Sequence, residues 1–184
     1  MTQQPNNPQL IHNALRSIPN ATFVLTCKYE QHRDGIITKW VQQCSTEPPM
    51  LVVAITKGRT IEPMLRDARA FALCMVPPND RTALRLFGTD HEPDEDPLLS
   101  LSTKMSVTGM PILQSSIVWF DCKLEGHLSP DADCRLYLGQ VLDAHICDKK
   151  KLTSLSETAI QAPIPDARKA PRSSAKKITR NYKQ

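Results

Sequence analysis

The chain has 184 residues, of which 40% are apolar, enough for one compact domain with a real core. No apolar run approaches the roughly 20 residues a membrane-spanning helix needs, so a helical membrane protein is not expected. The net charge of +4 is uneven: from Pro163 onward seven Lys and Arg residues face Asp166 alone, giving +6 there and leaving −2 on residues 1–162. That basic segment is rich in Pro, Ser and Ala, and reads as a solubilising, disordered end rather than a nucleic-acid arm.

Met1 to Pro8 is polar, with neither a basic n-region nor an apolar h-region, so a cytoplasmic location is the default expectation. The six cysteines contain no C-x-x-C pair and no His at zinc-finger distance from one, so reduced thiols are expected and no metal site.

Asn7 and Pro8 form a cap and first helical position, and Leu10, Ile11, Ala14, Leu15 and Ile18 recur at helical spacing, predicting a helix from about Pro8 to Ser17. Ala21 to Cys27 reads as a strand, followed by a polar turn from Glu30 to Gly35. A second strand runs from Ile36 to Ser45 and a third from Met50 to Thr56, with Pro48-Pro49 marking the corner between them. Arg59 to Arg69 reads as a helix that Thr60 can cap, with Glu62 and Pro63 in its first turn. Phe71 to Val76 is a short apolar strand. A further helix carries Arg81, Leu84 and Leu86, with Asn79 as a cap and Gly88 as its stop. His91 to Pro97 reads as an exposed acidic loop. Ser116 to Glu125 and Leu136 to Ile146 are long β-type runs joined by a turn containing Gly126, Ser129, Pro130 and Asp131. Six or seven strands with two or three short helices indicate a mainly β, antiparallel barrel rather than a doubly wound sheet.

Catalytic signatures are scarce. The chain has no G-x-G-x-x-G, no P-loop and no G-x-S-x-G, and its five histidines are dispersed. One block is unusual: Gly35 to Pro49 carries polar groups through a β-type segment and ends in the Pro pair. Shortly after it, Thr56-Lys57-Gly58-Arg59-Thr60 leads directly into a helix. By spacing alone, Thr38 to Ser45 is a plain half-exposed strand, with Trp40 in a barrel core and Lys57 and Arg59 on a solvated turn.

Taken in order, however, these segments resemble the flavin-reductase-like FMN-binding family. Thr38-Lys39-Trp40-Val41-Gln42-Gln43-Cys44-Ser45 and Val53-Ala54-Ile55-Thr56-Lys57-Gly58-Arg59-Thr60-Ile61-Glu62 are similar to the flavin-reductase module of photosynthetic flavodiiron proteins. Phe87-Gly88, Gly109-Met110-Pro111-Ile112-Leu113 and Leu138-Gly139-Gln140-Val141 fit the same pattern, so the likeness covers about Pro19 to Ile146.

The resemblance implies an FMN-binding split β-barrel of Greek-key, antiparallel type. It implies a helical lead-in over 1–18, the barrel over 19–150, and a C-terminal extension over 151–184 that is basic and disordered from about 163. The implied cofactor-binding residues are Thr38, Lys39, Trp40, Val41, Gln42, Cys44, Ser45, Thr46, Lys57, Arg59 and Thr60. Gln42, Cys44 and Ser45 offer polar groups for a ring edge, Trp40 an apolar cover, and Lys57 to Thr60 cations and free N–H groups for a phosphate.

Two positions depart from the family. Ile37 stands where a small polar residue is common. Ala132-Asp133-Cys134 replaces the Gly-Asp-His that many flavin reductases carry before the last barrel strand, and His127 is off register. Asp133 and Cys134 are thus the nicotinamide-site candidates, and the FMN site is better kept than the NAD(P)H site.

The implied activity is electron transfer from NAD(P)H to FMN and on to free flavin or a partner protein, by a homodimer, with no side chain assigned as acid or base. A flavin electron carrier or redox sensor without nicotinamide turnover is the alternative. A barrel without flavin, acting as an interaction module through its basic tail, is a third reading.

Overall fold

A computed structural model describes residues 7–92 and 95–156. The basic stretch from residue 163 lies outside them, as does most of the polar start. The elements in chain order are α1 (Pro8–Arg16), β1 (Thr22–Tyr29), β2 (His32–Thr38), β3 (Val41–Thr46), β4 (Pro49–Thr56), α2 (Ile61–Ala68), β5 (Ala70–Val76), α3 (Arg81–Phe87), β6 (Thr103–Met105), β7 (Pro111–Leu113), β8 (Val118–Leu128), β9 (Cys134–Ile146) and α4 (Lys149–Ser156).

Seven strands form one antiparallel sheet in the order β2-β1-β5-β8-β9-β4-β3, and β6 pairs with β7 separately. The two edge strands of the large sheet are consecutive in the chain. From Thr38 to Val41 the backbone can span at most about 11 Å, so the sheet must roll until its edges meet. Two hydrogen bonds mark the seam: Ala54 N–H donates to the Trp40 carbonyl at 2.9 Å, and the Thr38 hydroxyl donates to the Ala54 carbonyl at 3.3 Å. Long connections set β1 beside β5 and β4 beside β9, so the architecture is the expected mainly β split barrel.

Burial explains the strand patterns. β4 alternates, with Leu51, Val53 and Ile55 buried, because only its inner face is covered by the core. β1 is buried at six successive positions from Thr22 to Cys27, since the core lies on one side and α2 packs across the other through Ile61 and Leu65. Inside the barrel, Leu25, Phe71, Leu73, Val53 and Tyr137 are fully or almost fully buried. All six cysteines are free thiols, and burial pushes those of Cys27, Cys74 and Cys122 up to about 12.

Several expectations need correction. The run Ile36 to Ser45 is two strands, broken at Lys39-Trp40 where the chain crosses the seam. β2 also starts at His32, inside the segment expected as a turn, and only Glu30-Gln31 make the bend, with Glu30 at φ 53°. The polar residues there mislead because Asp34 is buried: it accepts from its neighbour's Gly35 N–H and contacts His91 Nδ1 at 2.9 Å.

The cap of α3 is Asp80, not Asn79; its carboxylate accepts from the Thr82 and Ala83 amides at 3.0 Å. The acidic loop is not simply exposed. His91 is held by Asp34 and the Leu86 carbonyl, Arg33 pairs with Asp96, and Pro97 and Leu98 are buried. β8 continues through Gly126 to Leu128, so the turn before β9 begins at Ser129. The hairpin β6–β7 and helix α4 were not foreseen, and the described residues hold four helices rather than two or three. α1 matches its expectation, with Asn7 Oδ1 accepting from Gln9 N–H, yet none of its residues is buried.

Candidate functional site

Strand pairing assembles an open platform on the outside of the barrel. In the β4–β9 ladder, Met50, Val52 and Ala54 lie opposite Gln140, Leu138 and Leu136. Residues directly opposite share a face, and this set alternates with the buried inner set. All six are half-buried, so the face is apolar in its middle and only partly covered. β3 borders it: Gln42 pairs with Val52 and Ser45 with Met50, which adds polar groups beside Gln140. Cys44 is the extra residue of a bulge between Gln43 and Ser45.

The polar block is therefore an exposed rim, and Trp40, 53% exposed, does not belong to the core as the plain-strand reading had it. Thr46 lies opposite Pro49 at one end of β4, and Lys57 follows Thr56 at the other. The rim so runs the length of the strand, about 25 Å at roughly 3.3 Å per residue.

At the Lys57 end the structure gathers residues from three parts of the sequence. Thr38 is buried at the seam and Lys39 and Trp40 are exposed beside it, next to Ala54. Thr56 lies opposite Cys134, and the Lys57 N–H donates to the Asp133 carbonyl at 2.9 Å. Lys57 Nζ donates to the Pro130 carbonyl at 2.7 Å, which leaves its charge unneutralised. Arg59 Nε sits 2.5 Å from Asp90 Oδ1, and the Thr60 hydroxyl reaches the same oxygen at 3.5 Å. Thr60 consequently does not cap α2 with its side chain.

Arg59 Nη2 is buried with no hydrogen-bond partner. A guanidinium donor without an acceptor, a second cation and a helix start without a side-chain cap together fit a phosphate. Val41, Gln42, Cys44, Ser45 and Thr46 stand away from this corner, along the rim. Asp133 is exposed, whereas Cys134 is 8% exposed. Burial, and then a hydrogen bond to Asp133, hold the Cys134 thiol above its ordinary value, so it is not a thiolate at neutral pH.

Glu62 was placed on the sequence merely as a first-turn acid. It is 7% exposed and binds the loop to β9: Oε2 accepts from Gly58 N–H at 2.7 Å, and Oε1 accepts from Arg135 Nη1 at 2.6 Å and from the Tyr137 hydroxyl at 2.7 Å. Burial and then Glu62 push the Tyr137 hydroxyl up to about 12, which keeps it a donor. Asp90 and Arg135 were also missed. No local signal marks either, because their partners are 31 and 73 residues away in the chain.

A recess of about 320 Å³ reaches Thr60 from the side of Asp34 and His91, and another of about 370 Å³ lies by Asp90 and His91. Neither includes a residue of the β3 rim.

The family model described as "Flavin reductase like domain" matches residues 15–158. Among curated proteins, "Diflavin flavoprotein A 1" of Synechocystis sp. is 22% identical over 146 residues, covering 79% of this chain and 25% of its own. "Putative diflavin flavoprotein A 2" of the same genus is 28% identical over 131 residues, covering 69% of this chain and 22% of its own. The chain thus spans a quarter or less of the length of these relatives. Among solved structures, an NADH:FAD oxidoreductase of Streptomyces globisporus C-1027 superposes with a TM-score of 0.68 at 18% identity, covering 79% of this chain and 89% of that one. An FMN-binding protein from Thermus thermophilus superposes with a TM-score of 0.65 at 21% identity, covering 83% and 82%.

Proposed function

The chain belongs to the flavin-reductase-like family, and from that premise we propose that it is an FMN-binding oxidoreductase taking electrons from NAD(P)H and delivering them to free flavin or a partner protein. The observation that carries the choice of a flavin with a phosphate is the Arg59 Nη2 donor left without an acceptor beside Lys57 and the start of α2. When bound, FMN supplies the redox chemistry, and the chain's residues bind and orient it.

Lys57 and Arg59 balance the phosphate charge. The half-buried Val52, Ala54, Leu136 and Leu138 give a flat apolar bed for an aromatic ring system, while Gln42, Ser45 and Gln140 offer hydrogen bonds at its edges. A second copy of the chain completes the site in this reading, which agrees with a bed that is open and only half-covered. The free thiols suit a cytoplasmic protein.

The test is the absorption spectrum of the purified protein with added FMN, FAD or riboflavin. Tight, stoichiometric FMN binding is expected, and a protein that takes up no flavin would sink the proposal.

Cys134 favours a second reading, an electron carrier without nicotinamide turnover, because a thiol cannot supply the paired geometry of an imidazole. Anaerobic stopped flow with NADH and NADPH separates the two. In the first reading wild type bleaches, Cys134→Ala bleaches at nearly the same rate, and Cys134→His is as fast or faster. If neither wild type nor Cys134→His is reduced, the carrier reading is the better one.

A further inference from the structure

We propose that Glu62 is a positioning residue for flavin binding: it holds the Lys57–Thr60 loop in its phosphate-receiving shape by tying Gly58 to Arg135 and Tyr137 of β9. This rests on the reading of that loop as the phosphate end of the site.

Gly58 has φ +85°, a conformation that side chains disfavour, and its N–H is fixed by Glu62 Oε2 at 2.7 Å. The other carboxylate oxygen is fixed by two donors on the inward face of β9, Arg135 at 2.6 Å and Tyr137 at 2.7 Å. A carboxylate buried to 7% exposure is costly unless its oxygens are satisfied, and here three donors satisfy them. The loop is thus clamped to the strand that begins with Cys134, so the phosphate end and the nicotinamide candidate share one rigid support.

A negative charge in the first turn of α2 would by itself repel a phosphate. Arg135 offsets that charge, so the pair shapes the loop with little net field. Charge and geometry therefore make opposite forecasts. Replacing Glu62 by a neutral residue leaves Arg135 unopposed, and electrostatics alone would tighten binding of a phosphate dianion. Loss of the clamp would loosen it.

Glu62→Gln in the full chain separates the two. An amide that keeps its oxygen towards Arg135 and Tyr137 points its NH2 at the Gly58 N–H, donor against donor, and the flipped amide sets its NH2 against Arg135, with only the Tyr137 hydroxyl able to turn and accept. FMN and riboflavin are titrated into the flavin-free protein and followed by quenching of flavin fluorescence. The expected result is FMN weakened roughly tenfold with riboflavin changed less than about twofold. Unchanged or tighter FMN, or equal losses for both ligands, would overturn the proposal.

Lys57→Ala in the same assay tests the underlying reading. If it is phosphate-selective and Glu62→Gln is not, the positioning role fails alone. If Lys57→Ala is not selective either, both fail. Should Glu62→Gln not fold, Gly58→Ala decides. Gly58 is exposed and an added Cβ meets nothing within 4 Å, so only the backbone of the loop is strained. A wild-type ratio of FMN to riboflavin affinity in Gly58→Ala overturns the proposal.

Discussion

Arg59 combines two features that are awkward for a solvated turn residue. Its Nε approaches Asp90 at 2.5 Å, and its Nη2 is buried with nothing to accept its protons. A buried donor left unpaired costs about 1–3 kcal/mol, which a phosphate oxygen would recover on binding. Lys57, by contrast, keeps its ammonium on a single carbonyl. Each charge-assisted contact is worth about 1.5–3 kcal/mol, so Lys57→Ala and Arg59→Ala should each weaken FMN by roughly ten- to a hundredfold. Arg59→Ala should be the worse, because it also releases the Asp90 carboxylate to face the phosphate. Riboflavin, without the phosphate, should barely respond, and paired calorimetric titrations of the two ligands check this. Equal losses for both would show that these cations act elsewhere.

Among the elements, β2 is joined to the segment after α3 by Asp34 and His91. Burial raises the Asp34 carboxyl above its ordinary range, against the lowering effects of the Gly35 N–H and His91. The folded chain therefore keeps the Asp34 proton to higher pH than the unfolded chain does. Its contribution is fully present below the unfolded value and is lost as pH rises through the folded one.

Asparagine can still accept from the Gly35 N–H without ionising. Wild type should thus lose stability relative to Asp34→Asn as pH rises above the ordinary carboxylate range, seen as a fall of its urea midpoint against that of the variant. A wild-type midpoint that rises against that of the variant would mean that the contact with His91 outweighs the burial of the carboxylate. Asp34→Ala, which leaves the Gly35 N–H without an acceptor and His91 Nδ1 without its partner, should cost about 1–3 kcal/mol throughout that range.

At the scale of the whole molecule, the barrel is narrow where β9 passes Phe71. A Cβ added at Gly139 would lie 2.5 Å from the Phe71 ring and 3.1 Å from Cys122 Cβ. The ring is fully buried and cannot swing aside, so Gly139→Ala should destabilise the fold by about 1–3 kcal/mol, by overpacking. Chemical denaturation measures it. A wild-type midpoint would show that the barrel can widen there. Leu51 lies opposite Gly139 on β4, so the same change should disturb the neighbouring platform strand.

Local chemistry was enough for the order and kind of most elements. A β-type run after Pro48-Pro49 placed β4, helical spacing placed α1 and α2, and the succession of motifs identified the family. The residues proposed for the phosphate were also visible, because cations before a helix start are a local pattern. What stayed hidden depends on partners distant in the chain. His32-Arg33-Asp34 looked like a turn because the sequence does not show that His91 and Asp96 come to meet them. Trp40 could be read as core until the seam put it on the rim. Glu62 looked like an ordinary first-turn acid, and only the approach of Arg135 and Tyr137 on β9 made it a buried clamp. Propensity and periodicity act over a few residues, whereas burial and hydrogen-bond satisfaction are set by how the sheet closes, and that is decided by the tertiary structure alone.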